Sequence, residues 1–167
     1  NIFGPKQKYD DPYRNVISIV TNRMLQGQQP IIYGDGEQKR SFTYITDAID
    51  PLVKMGFNKD VVGHAINIGP DEEFVTINHA AKTIADILNF KLDPIYVPSR
   101  PQEVKYASCS ADKVRRMLGY KTTTSFKDGV KETVKWIKSR GAKPFEYHLD
   151  LEIVNDRTPE TWKNKLI

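Results

Sequence analysis

Apolar residues recur three and four apart at Val16, Ile17, Ile19, Val20, Met24 and Leu25. That spacing lays one buried stripe along a helix. Pro12 before the run and Gly27 after it set its limits. The pattern returns at Ile77, Ala80, Ala81, Ile84, Ile87 and Leu88, with Thr76 placed as a cap. It returns again at Phe126, Val130, Val134 and Ile137, between Ser125 and a stop at Gly141. Two more helices are predicted. One runs to about Phe57 with Thr46 or Asp47 as its cap, as Ser110 is for the other, and with Pro51 near its first turn, where a missing N–H costs least. The other follows Ser110, carries Val114, Met117 and Leu118, and ends at Gly119. Between the helices lie short β-branched or aromatic runs at 31–33, 41–45, 64–68 and 94–97, which read as strands. Strands separated by about five helices predict an α/β protein.

Composition narrows the function classes. The chain has 167 residues, 39% hydrophobic and 28% charged, as expected of one globular body with a real core. A net charge of +4 without a dense Lys/Arg block suits a small anionic ligand at least as well as nucleic acid. Lys113, Arg115 and Arg116 form the tightest basic group, and a helical face accounts for them. The single cysteine, Cys109, excludes an internal disulfide framework and a cysteine-based zinc site, and a small buried thiol is its simplest reading. A reduced, cytoplasmic setting is therefore expected. No run is long and apolar enough for a membrane helix. Asn1 opens a motif-like run, Asn1-Ile2-Phe3-Gly4-Pro5, without a methionine, so a piece of a longer protein is expected.

Candidate chemistry gathers at strand ends. His64, His79 and His148 lack metal-ligand spacing, and no nucleophile elbow or zinc-protease helix occurs. Gly34-Asp35-Gly36 is the closest glycine spacing, but it leads from one predicted strand into another and so is no dinucleotide loop. Asn1, Arg40, Asn67 and Arg100 each border a predicted strand or its exit loop. Ligands of α/β folds bind beyond the carboxyl ends of strands. Two arginines there suit a diphosphate, and Asn or Glu side chains suit hydroxyls and amides. Any one of the four could merely cap a turn. The set is harder to explain that way.

Four motifs in order carry a resemblance: Asn1-Ile-Phe-Gly-Pro, the run from Tyr33-Gly-Asp-Gly through Arg40-Ser-Phe-Thr-Tyr-Ile-Thr-Asp47, Asn67-Ile-Gly, and Arg100-Pro-Gln-Glu-Val104. Together they resemble the C-terminal, substrate-binding half of extended short-chain dehydrogenases/reductases. More narrowly, they resemble NAD-dependent nucleotide-sugar epimerases and dehydratases. A late Leu-Gly-Tyr helix end and a helix ending in Trp-Ile extend the likeness over residues 1–141. Residues 142–167 then form an extension expected to pack on that body. The resemblance implies a Rossmann-type fold and a role for each matching residue. Asn1 and Asn67 would bond the nucleotide sugar, and Arg40 and Arg100 its diphosphate. Tyr33 and the backbone near Ile32 would border the base, Glu103 would take a ribose hydroxyl, and the helix around Asn15 and Val16 would lie over the ligand. One departure is Gln102, where many relatives carry glycine.

The same resemblance places the NAD loop and the Tyr-x-x-x-Lys pair upstream, and neither occurs in this chain. The expectation is thus the substrate-binding part of an NAD-dependent nucleotide-sugar 4-epimerase, taking a UDP-sugar and homodimeric as a full-length protein. The fragment alone is expected to be inactive. A 4,6-dehydratase or decarboxylase of the same family is the alternative within the class, and a non-catalytic nucleotide-sugar binding module the alternative outside it. Strands cut from their neighbours would leave apolar surface, so self-association or a missing partner segment is also expected.

Overall fold

A computed structural model describes residues 1–149 and 154–167. Its α-helices are α1 (Val16–Leu25), α2 (Ile45–Phe57), α3 (Ile77–Leu88), α4 (Asp112–Leu118), α5 (Phe126–Arg140) and the one-turn α6 (Glu160–Lys163). Its strands are β1 (Ile2–Phe3), β2 (Ile31–Tyr33), β3 (Lys39–Arg40), β4 (Thr43–Tyr44), β5 (Val75–Thr76), β6 (Ile95–Val97) and β7 (Tyr106–Ala107). The α/β class is as the pattern predicts.

Helices α1, α3 and α5 pack together, and their apolar stripes supply most of the main core. Ile17, Val20, Ile84, Val130 and Val134 are almost fully buried there. The cap expectations at Thr76 and Ser125 hold: Thr76 accepts from the His79 amide and Ser125 from that of Asp128. Phe3 roofs this core, with ring centroids 5.8–6.0 Å from Phe126 and Phe42. A second, smaller core joins Val61, Val114, Leu118 and Tyr120 beneath α2 and α4.

The sheets are small. Strands β1 and β4 pair in parallel, as do β2 and β6. Strand β3 is the middle of a third sheet, antiparallel to β5 and parallel to β7. The strand predicted over 41–45 shortens to β4, Thr43–Tyr44, and a separate strand β3, in a different sheet, precedes it and contains Arg40. Residues 64–68 form no strand. Ile66 and Ile68 are apolar because they pack on the second core, not because they face a neighbouring strand.

Two capping expectations fail for local reasons. Helix α2 starts at Ile45 without a side-chain cap. The carboxylate of Asp47 turns away from its own helix to accept from the amides of Thr123 and Thr124, at 3.2 and 3.1 Å. The residue preceding α4 is Ala111; its amide donates to Asp71, and Ser110 closes only a tight turn with Asp112. Arg115 explains one of the three clustered basic residues: it pairs with Asp71 and Glu72, and the Asp71 carboxyl is held below its usual range chiefly by that guanidinium. Cys109 is half-buried and unpaired with any other cysteine. No helix among the described residues is long and apolar enough to cross a membrane.

Candidate functional site

Arg40 reaches its position because β3 is held on both sides. Its partners in register are Val75 on β5 and Ala107 on β7. Its guanidinium is paired with the carboxylate of Glu103. The same carboxylate lies 3.7 Å from Nε of Arg100. Glu103 thus sits between two arginines, and the trio keeps a net positive charge. Arg40 and Glu103 are mostly sheltered, with side-chain exposures of 15% and 20%, whereas Arg100 is at 43%. The sheltered ends strengthen their electrostatic reach compared with a pair in open water.

The turn that carries Glu103 is built by sequence. Pro101 fixes the first central position, and the Glu103 amide donates to the Arg100 carbonyl at 3.1 Å. Gln102 takes the second central position with φ of 60°, the place a turn of this type reserves for glycine. Arg100 and Glu103 are thereby brought to one side of the loop.

A cavity of about 240 Å³ opens in front of this trio. Eight of the nine residues singled out from sequence line it: Asn1, Asn15, Val16, Ile32, Tyr33, Arg40, Arg100 and Glu103. Asn67 does not; it is exposed, in the irregular run after α2. Asn15 caps α1 by accepting from the Ile17 amide and donates to the Ile2 carbonyl at 3.3 Å, which fixes the helix start at the cavity edge. Residues missed from sequence include Arg14, Gln38 and Phe42. Phe42 carried the strand pattern, and Gln38 lies inside the matching motif, where its amide supports the Tyr33 carbonyl at 3.2 Å. Arg14 had no sequence signal; Asp11 holds it at 3.0 Å.

A second cavity, of about 410 Å³, shares Tyr33, Gln38, Arg100 and Glu103 as a common wall. The far side of Tyr33 meets the C-terminal segment. Its hydroxyl lies 2.7 Å from Thr161 Oγ1 and accepts from the Thr161 amide at 3.0 Å. Among the described residues, no group of His, Cys, Asp and Glu is arranged to hold a metal.

The model of the GDP-mannose 4,6 dehydratase family matches residues 1–133. The chain belongs to that family of nucleotide-sugar enzymes. Over 144 residues it is 31% identical to the UDP-N-acetyl-alpha-D-glucosaminuronate decarboxylase of Bacillus cytotoxicus, covering 83% of this chain and 44% of the relative. It is 34% identical over 142 residues to a putative UDP-glucose 4-epimerase of Methanocaldococcus jannaschii, with coverages of 83% and 44%. Among solved structures, the UDP-glucuronic acid 4-epimerase of Bacillus cereus, in complex with UDP-glucuronic acid and NAD, superimposes with a TM-score of 0.76 at 29% identity. That superposition covers 84% of this chain and 43% of the other. The chain thus spans less than half the length of the relatives it matches, and the fold is that of part of an extended short-chain dehydrogenase/reductase. Its relatives are epimerases, dehydratases and decarboxylases of NAD-dependent type.

Proposed function

We propose that this chain is the substrate-binding part of an NAD-dependent nucleotide-sugar 4-epimerase that takes a UDP-sugar. The observation that carries the reading is the pair of arginines, Arg40 and Arg100, facing one cavity from opposite sides of Glu103. Guanidinium forks suit the oxygens of a diphosphate. A diphosphate entering the cavity would take over the arginines, freeing Glu103 to accept from a ribose hydroxyl. Tyr33 and the backbone at Ile32 would border the base, and Asn1, Asn15 and Val16 the remaining nucleotide-sugar surface.

NAD, when bound, supplies hydride acceptance and return at the sugar carbon. The glycine turn of this chain does not fit the role of its pyrophosphate loop: Gly34 and Gly36 lie between β2 and β3, not between a strand and a helix, so the group would be held mainly by residues outside this chain. What this chain contributes is grip and orientation. Holding the diphosphate and base leaves the sugar as the free end of the ligand, fixed relative to the reacting groups of the complete protein. The fragment alone is therefore expected to bind without turnover.

The test uses the full-length protein with NAD and UDP-sugars. Interconversion of C4 epimers is the expected result, and its absence overturns the epimerase reading. Calorimetry with UDP should show binding that Arg40→Ala and Arg100→Ala each weaken by tenfold or more, from about 1.5–3 kcal/mol per charged hydrogen-bond set. The likeness to a uronate decarboxylase favours decarboxylation as the second reading, and release of carbon dioxide from a UDP-uronate would select it.

A further inference from the structure

Beyond residue 133, where the family match ends, the chain returns to the arginine cavity. The Arg100 guanidinium lies 5.5 Å from the ring centre of Tyr33 and 5.9 Å from that of Trp162 in α6. The neighbouring Thr161 is 2% exposed and makes both hydrogen bonds to the Tyr33 hydroxyl. Two successive residues of the C-terminal segment thus engage two neighbouring elements of the cavity wall, the end of β2 and the loop after its sheet partner β6.

The segment is anchored well enough to hold them. Arg23 on α1 donates to the Leu166 carbonyl at 3.1 Å. The Tyr147 hydroxyl donates to the Ile167 carbonyl at 2.7 Å and lies 3.0 Å from the Ile167 amide. Tyr13, one residue before cavity-lining Arg14, stacks edge-on against Trp162 at 5.2 Å and against His148 at 5.4 Å. Trp162 lines neither cavity that Arg100 faces. It meets the cavity wall through the arginine.

We infer that Trp162 and Thr161 are positioning residues for nucleotide-sugar binding: Trp162 holds Arg100 in the orientation that receives the diphosphate, and Thr161 fixes Tyr33 beside the base. The inference rests on the nucleotide-sugar reading above. Arg100 is the more exposed of the two arginines and sits in a loop, so free rotation would dilute its useful rotamer. A cation held over aromatic faces keeps its plane and leaves its edge, where the N–H groups are, available for phosphate. The segment therefore stabilises the side of the site that the sheet does not.

The experiment compares full-length wild type with Trp162→Ala, Trp162→Phe and Arg100→Ala, alone and combined. In calorimetry with UDP, Trp162→Ala should weaken binding about fivefold, within the range of a partly desolvated cation–aromatic contact. Trp162→Phe should restore most of it. In the Arg100→Ala background, Trp162→Ala should change nothing further. An equal loss in both backgrounds, or no loss in either, overturns the inference. Nuclear magnetic resonance of arginine-labelled protein gives an independent readout. The Arg100 Nε–H signal should lie in the ring-shifted region and move on Trp162→Ala; a signal that stays in place overturns the positioning role. Wild-type protein that fails to bind UDP would instead sink the nucleotide-sugar reading, and the Arg100 signal would still decide whether Trp162 sets the side chain.

Discussion

Gln102 shows how one residue reveals a constraint that its type conceals. Its φ of 60° is left-handed, which costs a residue with a Cβ roughly 1–2 kcal/mol, partly offset by the smaller entropy loss of a non-glycine residue. Gln102→Gly should therefore be neutral to stabilising, by up to about 1 kcal/mol in urea unfolding; a clear destabilisation would show that the glutamine side chain holds the loop. The loop itself was legible, because Arg-Pro-Gln-Glu brings its own turn former at Pro101. The paired state of Glu103 was not. Nothing in the local sequence says that Lys39–Arg40 and Glu103, separated by some sixty positions, meet in space. Arg14 illustrates the opposite limit. It is one of 25 lysines and arginines, and only the fold distinguishes it by placing it at the cavity edge.

Elements long enough to repeat a pattern were readable, and those too short were not. Helices α1, α3 and α5 each run for about three turns or more with an apolar stripe, so their limits follow from periodicity and caps. Strands of two residues, such as β3, β5 and β7, contain no period at all; pairing with distant partners creates them. Helix α6 was missed because one turn carries no stripe, and the Pro-Glu-Thr-Trp start alone was an insufficient signal. The helix α5 also contains a glycine whose reason is visible only in three dimensions. A Cβ at Gly129 would lie 2.8 Å from Tyr44 Cδ2 and 2.9 Å from Phe3 Cζ. Alanine normally improves a helix interior by about 1 kcal/mol over glycine. Here both neighbours are core or half-buried rings that cannot withdraw, so overpacking should win. Gly129→Ala should lower stability by about 1–3 kcal/mol, read from the urea midpoint, as overpacked cores do. A gain would mean that α5 can shift off β1 and β4 without loss.

At the scale of the molecule, the surface is uneven. Ile49, Leu52, Val53 and Phe57 share the outer face of α2, with Phe57 at 87% exposure. Contiguous apolar surface of this kind marks a contact face. The parallel pair β1–β4 points the same way, since parallel strands are ordinarily covered on both faces and extended by neighbours. The 167-residue polypeptide by itself has only another copy with which to cover that face. Light scattering should therefore report a mass above 19.1 kDa, and Val53→Glu with Phe57→Glu should return the monomer without lowering the melting temperature. A wild-type monomer would contradict this. Sequence alone does not say which face of α2 is outward, because its apolar positions Ile49, Leu52, Val53 and Phe57 are spaced just as a buried stripe would be. The position of β3 bears on the order of events during folding. Its flanking strands arrive about 35 and 67 residues later along the chain, and such distant closures follow local helix formation. The helical body can be compact while Arg40 still lacks its bed. Affinity for an anion would then be among the last properties the chain acquires as it folds, making ligand capture a clock for completion and not for collapse.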